Sequence, residues 1–115
     1  MFLIFICAPS YQAFSQTTSY MRSVDLLSIC RVEKEDPRIC QSYVAGVIDY
    51  HNLLRNLKTE PAVQFCIPDR YTLQQVTEIV LNDLARSPQH DHFIAAPAVT
   101  LALFKAFPCK TKKRK

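Results

Sequence analysis

A single glycine, Gly46, is the feature that most restricts the fold of this chain of 115 residues. Tight β-hairpins depend on residues that accept a positive φ, and glycine does so most readily. A chain with one glycine is therefore poorly suited to an all-β fold. It also cannot hold the glycine-rich loops that cradle phosphates, because neither G-x-G-x-x-G nor a P-loop can be written from it. We expect one helical domain.

The first residues are typical of an export signal. An apolar run over residues 2–7 is followed by small and polar residues, and Ala13 with Ser15 forms a small-x-small pair. No Lys or Arg precedes the run, which is far shorter than the about 20 residues that a transmembrane helix needs. We predict a signal peptide over residues 1–15, an exported domain over residues 16–109, and no membrane span in the mature form.

Export changes the expected state of the cysteines. Cleavage after residue 15 removes Cys7 and leaves an even set of four. In an oxidising compartment, four cysteines in about 100 residues predict two disulfides, with three possible connectivities. No C-x-x-C pair is present, so neither a zinc knuckle nor a thioredoxin-type redox site is expected. The four cysteines are Cys30, Cys40, Cys66 and Cys109.

Boundary signals predict four helices. The first begins near Ser23, which can cap it, and ends near Cys30. The second follows Pro37 and extends for about 18 residues. Gly46 lies inside the second helix, where it costs about 1 kcal/mol relative to alanine, so we expect a close helix crossing there. The apolar positions that recur along this helix are Cys40, Tyr43, Val47, Tyr50 and Leu54.

The last two helices have the clearest starts. Thr72 and Gln75 have capping-box spacing, which predicts the start of the third helix. Pro97 is tolerated only in a first turn, so the fourth helix begins near Ala95 or Ala96. That helix is apolar nearly all round, which is typical of the central helix of a bundle. The fold class is therefore all-α: a small four-helix domain stapled by two disulfides.

Antiparallel helix hairpins suggest how the cysteines pair. Cys30 closes the first helix and Cys40 opens the second, so both lie at one end. Cys66 precedes the third helix and Cys109 follows the fourth, so these two also share an end. The pairing Cys30–Cys40 with Cys66–Cys109 needs the fewest assumptions. A crossed pairing stays open, because the long connection before the third helix can carry Cys66 elsewhere.

The net charge of +4 comes from the C-terminal end. Five of the fourteen basic residues lie in the segment 110–115, whereas residues 1–109 hold nine basic and ten acidic side chains, a balance of −1. A nucleic-acid-binding protein carries its basic surface on the folded body. We therefore predict a basic disordered tail over residues 110–115 and no nucleic-acid partner.

No group of side chains forms an evident catalytic or metal site. His90 and His92 flank Asp91, but so short a loop offers no obvious third site. Asp49 and His51 project about 200° apart around the second helix and do not face each other. A cysteine nucleophile would need a histidine base and a free thiol, which even pairing removes. We expect no catalysis, metal or cofactor, and for Asp49 a structural hydrogen bond or a partner contact.

The motifs occur in an order that resembles the Rap/Tai-type immunity proteins of type VI secretion systems. Members carry a C-x-G-Y-x-x-G-x-x-D-like helix, an F-C-x-P turn, a V-T-x-x-Q helix start and an A-F-P-C end. Ser42 here replaces the glycine before the tyrosine, and the resemblance runs from about Leu26 to Cys109. The matching positions are Cys40, Tyr43, Gly46 and Asp49; Phe65, Cys66 and Pro68; Thr72 and Gln75; and Ala106 to Cys109.

The resemblance implies a small helical protein of the bacterial periplasm, often a homodimer. Such a protein binds an incoming peptidoglycan-cleaving amidase effector and occludes its active site. The resemblance gives most of the matched positions structural roles (the cysteines, the helix caps and the close-packing Gly46). It does not identify the toxin.

The connection over residues 58–71 is the surface that we expect to meet a partner. It is long for a compact domain, and such loops are usually functional or pinned down. A competing class is a general periplasmic stress or chaperone-like helical protein, which would bind many unfolded clients and no tight single partner. The partner-contact residues predicted in the connection are Glu60, Asp69, Arg70 and Tyr71.

Overall fold

A computed structural model gives the architecture of the protein over residues 20–32 and 36–110. Across these ranges the chain forms four helices and no β-strand, and both disulfides are closed. The predicted all-α fold with two staples is therefore confirmed. The signal peptide predicted over residues 1–15, including Cys7, lies outside the described residues, as does the tail beyond Lys110.

Four helices follow one another along the chain with short or pinned connections. The first helix continues into a π-helical segment, and a single 3₁₀ turn precedes the last helix. The helices are α1 (Ser23–Leu27, continued as a π-helix over Ser28–Val32), α2 (Pro37–Asn56), α3 (Leu73–Ala85) and α4 (Ala95–Ala106), and the 3₁₀ turn is Pro88–His90.

The start of α1 differs from the prediction that Ser23 caps it. Arg22 holds the cap position, and its backbone N–H donates to the Asp25 carboxylate at 3.1 Å. Ser23 is instead the first helical residue and is buried, with its N–H donating to the Phe93 carbonyl at 2.8 Å. The reason is an isolated antiparallel bridge between Arg22 and Ile94, which fixes the chain just before the helix.

Side chains cap α2 and α3. Asp36 accepts a hydrogen bond from the Arg38 backbone N–H at 2.9 Å, and Pro37 takes the first helical position. The Arg38 guanidinium also donates to the Asp36 carboxylate and lowers its pKa. At α3 the predicted capping box is present: the Gln75 N–H donates to Thr72 Oγ1 at 3.1 Å, and the Thr72 N–H to Gln75 Oε1 at 2.8 Å.

The core is built around α4, which packs against each of the other three helices. This agrees with the central position predicted from its composition. Small residues, Ala95, Ala98 and Ala102, let the neighbouring helices approach. The buried apolar side chains of the core are Leu26, Val44, Phe65, Val76, Val80, Leu81, Leu84, Ala95, Ala98, Val99, Ala102, Leu103 and Phe107.

The two disulfides have the pairing that required the fewest assumptions. Cys30 and Cys40 join the end of the first helix to α2, with Cα atoms 6.0 Å apart. Cys66 and Cys109 join the long connection to the segment that follows α4, with Cα atoms 4.9 Å apart. Each staple thus connects the two ends that an antiparallel arrangement brings together.

The long connection between α2 and α3 is pinned at its centre. Phe65 is 2% exposed, and its backbone forms an isolated antiparallel bridge with Pro108. The Cys66 N–H donates to the Phe107 carbonyl at 2.8 Å, next to the disulfide. The centre of the connection is therefore part of the core, and its two flanks lie on the surface.

Candidate functional site

In the described part of the chain, a groove with a volume of about 830 Å³ lies between α2 and α4. Its walls come from the two helices, and the first half of the long connection closes it along one side. We call it the α2–α4 groove. Its lining residues are Ser42, Tyr43, Gly46, Val47, Tyr50, His51 and Leu54 of α2; Pro61, Ala62 and Val63 of the connection; and Ala96, Pro97, Thr100 and Leu101 of α4.

Gly46 faces this groove and not a neighbouring helix. A Cβ atom built at this position meets no heavy atom within 4 Å. The close helix crossing predicted at Gly46 is therefore wrong, because no other element approaches the glycine. The absence of a side chain instead keeps the groove open on the α2 side.

The lining is almost wholly apolar and none of its residues is charged. Thr100 uses its hydroxyl within its own helix, where it donates to the Ala96 carbonyl at 2.9 Å. The remaining polar atoms are few: the hydroxyls of Ser42, Tyr43 and Tyr50 and the His51 ring. Partial burial raises the pKa of Tyr43, since the phenolate would be poorly solvated there. Such a lining favours apolar contacts over the binding of a charged small molecule.

His51 closes the inner end of the groove and holds the long connection in place. It is 4% exposed, and its ring stacks on the Phe65 ring with centroids 3.7 Å apart. Nε2 accepts a hydrogen bond from the Phe65 backbone N–H at 3.2 Å, so Nε2 carries no proton and Nδ1 donates to Asn52 Oδ1 at 3.0 Å. His51 is therefore a structural acceptor.

The four predicted partner-contact residues divide into two places. Glu60 is exposed next to Pro61, which lines the α2–α4 groove. Asp69 and Arg70 are exposed, and Arg70 and Tyr71 line a second depression, of about 820 Å³, beside the Cys66–Cys109 disulfide. The structure therefore does not gather the four residues into one patch.

Tyr71 is the best supported of these side chains. Its ring packs edge-on against Phe107, with centroids 4.9 Å apart, and the Arg70 guanidinium lies 5.0 Å from its centroid. Its N–H donates to the Pro68 carbonyl at 3.2 Å and closes the turn. Arg70 is therefore displayed from a fixed position.

Asp49 lies on the outer rim of the groove. It is one helical turn from Gly46 and directly precedes Tyr50, which is 62% exposed. Its carboxylate makes no hydrogen bond or ion pair to the residues that the structure describes, so the structural hydrogen bond that we considered is not formed. The partner contact predicted for Asp49 stays a prediction.

The described part of the chain shows no assembled reactive centre. The ring of His90 stacks on Phe93, with centroids 4.6 Å apart, and no group of three or more His, Cys, Asp or Glu side chains there could hold a metal ion. The four described cysteines are all in disulfides. None of the helices over 20–32 and 36–110 is long and apolar enough to cross a membrane.

The groove was not predicted from the sequence, although one signal pointed to it. A helix that is apolar nearly all round, in a bundle of four, has more apolar surface than its neighbours can cover. Thr100 and Leu101 of α4 line the groove, and Phe104 of the same helix is 43% exposed. The apolar repeat of α2 also lies there, since Tyr43, Val47, Tyr50 and Leu54 line the groove.

Comparison with known proteins gives one match. Residues 22–109 match the family model described as Rap1a immunity proteins, which spans all four helices and both disulfides. No curated protein and no solved structure matches the chain. Because the match covers most of the chain, it decides the family. The protein belongs to the Rap1a immunity protein family and is an immunity protein for a secreted toxin.

Proposed function

We propose that this protein binds a peptidoglycan-degrading amidase toxin of a type VI secretion system in the periplasm and inhibits it sterically. The observation that carries the proposal is the family match over residues 22–109. The matched segment holds every structural feature described above, from the Arg22 bridge to the Cys66–Cys109 staple. Steric inhibition is consistent with the surface of the described residues, which includes the α2–α4 groove and the connection over residues 58–71.

A preformed surface suits steric inhibition. Binding costs free energy for each loop or side chain that must become ordered, so a rigid binder keeps more of its contact energy. Here the Phe65–Pro108 bridge and the Cys66–Cys109 disulfide fix the connection that carries Asp69 and Arg70. We propose that Glu60, Asp69, Arg70 and Tyr71 contact the toxin, with Tyr71 acting as the support of Arg70.

The disulfides support a periplasmic location. Structural disulfides form and persist in oxidising compartments and are rare in the cytosol. We propose that residues 1–15 direct export and are removed, which leaves a mature domain that reaches the compartment where a peptidoglycan amidase acts. We further propose a homodimer, on the resemblance to the Rap/Tai-type proteins.

Rescue from lysis tests the function directly. A candidate peptidoglycan amidase, sought first among the genes beside this one, is directed to the periplasm, with and without this chain. We expect co-expression to prevent lysis, whereas a matched chain that lacks residues 1–15 and stays in the cytosol should give no protection. Lysis that continues with the exported, folded chain present would contradict the proposed function for that amidase.

The contact role of the loop is tested by Asp69→Ala with Arg70→Ala. Both side chains are exposed, so the variant should fold normally and bind the neutralised amidase about 10-fold more weakly. Arg86→Ala with Asp91→Ala removes one charge of each sign elsewhere and serves as the control. Unchanged affinity of the loop variant would remove Asp69 and Arg70 from the interface.

A chaperone-like role predicts a different result from the same material. An exposed apolar groove is also what a binder of unfolded chains would need. Such a protein would protect several unrelated denatured proteins from aggregation and would not rescue cells from one toxin selectively. Aggregation assays with reduced, unfolded clients therefore separate the two functions.

A further inference from the structure

We infer that the α2–α4 groove is where the toxin docks, and that it receives a convex apolar segment of the toxin flanked by basic side chains. The inference rests on the proposed function, because it assigns a surface to the toxin that the chain binds. The main contact is then the groove and not the charged residues Asp69 and Arg70 of the long connection. These two residues would lie at the edge of the interface.

The apolar character of the groove identifies the centre of the partner segment. Fourteen residues line a volume of about 830 Å³, and none carries a charge. Apolar side chains continue along the same helix beyond the groove, since Ile39, Leu53 and Leu57 are each about half exposed or more. An apolar surface of this extent on one helix and its neighbour marks a site for a protein segment. Tyr50, which is 62% exposed at the rim, is the side chain best placed to become buried there.

The shape of the groove identifies a convex occupant. Gly46 leaves space on one wall, where a Cβ atom would meet nothing within 4 Å. The facing positions, Ala62, Ala96 and Pro97, are small or compact. A second copy related by a two-fold axis would place the same groove opposite this one, and a groove does not itself supply a segment that fills the other. A protruding loop or helix of another protein fills the space.

Charge at the rim identifies the flanks of the segment. Four described carboxylates, those of Asp25, Asp36, Glu78 and Asp83, have Arg or Lys partners within the chain. Four others have no such partner among the described residues: Asp49 and Glu60, which are exposed and adjoin lining residues of the groove, and Asp69 and Asp91, which adjoin none. Two unpaired carboxylates beside an uncharged groove are complementary to basic residues on either side of an apolar segment.

Filling the groove is the first test. Gly46→Leu places a side chain in open space on α2, so the fold should tolerate it and the helix should gain propensity. Calorimetry with an inactivated form of the amidase found in the rescue assay should show binding weakened at least 10-fold. Asn56→Leu, on an exposed position of the same helix outside the groove, is the control and should bind within 2-fold of the wild type.

Charge reversal is the second test. Asp49→Lys should weaken binding several-fold at low salt, with a smaller difference at high salt, because rim charges act mainly through screened steering. Asp91→Lys makes the same charge change at a carboxylate without an ion-pair partner among the described residues and outside the groove lining, and it serves as the control. An equal loss of affinity in both variants would mean that the amidase responds only to the net charge of the protein. That result would contradict the assignment of Asp49 to the interface.

The outcomes separate this inference from the proposed function. Wild-type affinity in Gly46→Leu would overturn the groove while leaving neutralisation intact. A wild-type dimer that Gly46→Leu converts to a monomer, seen by light scattering, would show that a second copy fills the groove and would also overturn the inference. If no amidase is neutralised, the proposed function fails. The groove is then tested with a leucine-rich peptide flanked by lysines against its glutamate-flanked counterpart, and equal or absent binding of the two would overturn the inference.

Discussion

His51 shows how one buried polar side chain can hold a long connection in register. Its Nε2 is the acceptor for the Phe65 N–H, and its ring covers one face of the Phe65 ring. A buried N–H without an acceptor lowers the stability of the fold. Position 51 therefore requires a planar ring that stacks on Phe65 and an unprotonated ring nitrogen that accepts the hydrogen bond. A buried histidine is more often structural than reactive, and here the hydrogen bonds define that role.

Replacing His51 should therefore destabilise the protein. We expect His51→Leu to lower the free energy of unfolding by about 1–3 kcal/mol, because the Phe65 N–H loses its acceptor. Urea unfolding followed by circular dichroism measures the loss. His92→Leu, at an exposed position, is the matched control and should change stability little. Equal unfolding midpoints for wild type and His51→Leu would show that water replaces the ring nitrogen.

Tyr43 is the residue whose titration reports on the groove. Burial raises its pKa above the ordinary tyrosine value of about 10, so the folded state holds its proton more tightly than the unfolded state does. That contribution to stability is fully present below the unfolded pKa and is lost as the pH rises through the folded one. In an absorbance titration of phenolate, we expect one tyrosine to ionise last, and Tyr43→Phe to remove that step. A titration unaltered by Tyr43→Phe would contradict this assignment.

At the scale of elements, the ends of most helices could be predicted from the sequence, but which face of a helix becomes buried could not. The starts of α3 and α4 follow from Thr72, Gln75 and Pro97, since capping and proline act over a few residues of sequence. The start of α1 was misread, because a pairing between Arg22 and the distant Ile94 decides it. Local signals cannot reveal a contact between segments so far apart in sequence.

Helix α2 explains why the groove could not be predicted. It has two apolar faces: Cys40 and Val44 are buried against the domain, whereas Tyr43 and Tyr50 line the groove. Both sets recur at helical spacing, so periodicity predicts a helix without telling which face will be covered. That choice depends on where α4 and the long connection lie, which is a property of the packed structure.

Gly46 offers a test of this interpretation of α2. If the glycine served a close crossing, any side chain would clash, but a Cβ atom here meets open space. Gly46→Ala should therefore raise the free energy of unfolding by about 0.5–1 kcal/mol through helix propensity. Thermal unfolding of Gly46→Ala beside Ala45→Gly, the reverse change at the preceding position, should give shifts of opposite sign. If Gly46→Ala instead lowers the free energy of unfolding, the result would support a close helix crossing at Gly46.

At the scale of the whole molecule, the two disulfides should contribute unequally. Cys30 and Cys40 are 10 residues apart in sequence, and Cys66 and Cys109 are 43 apart. In the chain-entropy treatment, closing these loops stabilises the fold by about 3 and about 4 kcal/mol respectively. Replacing Cys66 and Cys109 by alanine should thus lower stability by about 1 kcal/mol more than replacing Cys30 and Cys40. Urea unfolding without reductant measures both, and the opposite order would contradict the prediction.

The Cys66–Cys109 staple has a further consequence for the integrity of the chain. It closes a covalent ring that contains α3, the turn Pro88–His90 and α4. A protease that cuts once at the exposed Arg86, inside this ring, would open a backbone bond without releasing either fragment. In the nicked molecule, α3 and α4 would remain joined through the disulfide. The half of the protein that carries one wall of the groove would thus stay covalently joined after a single cut.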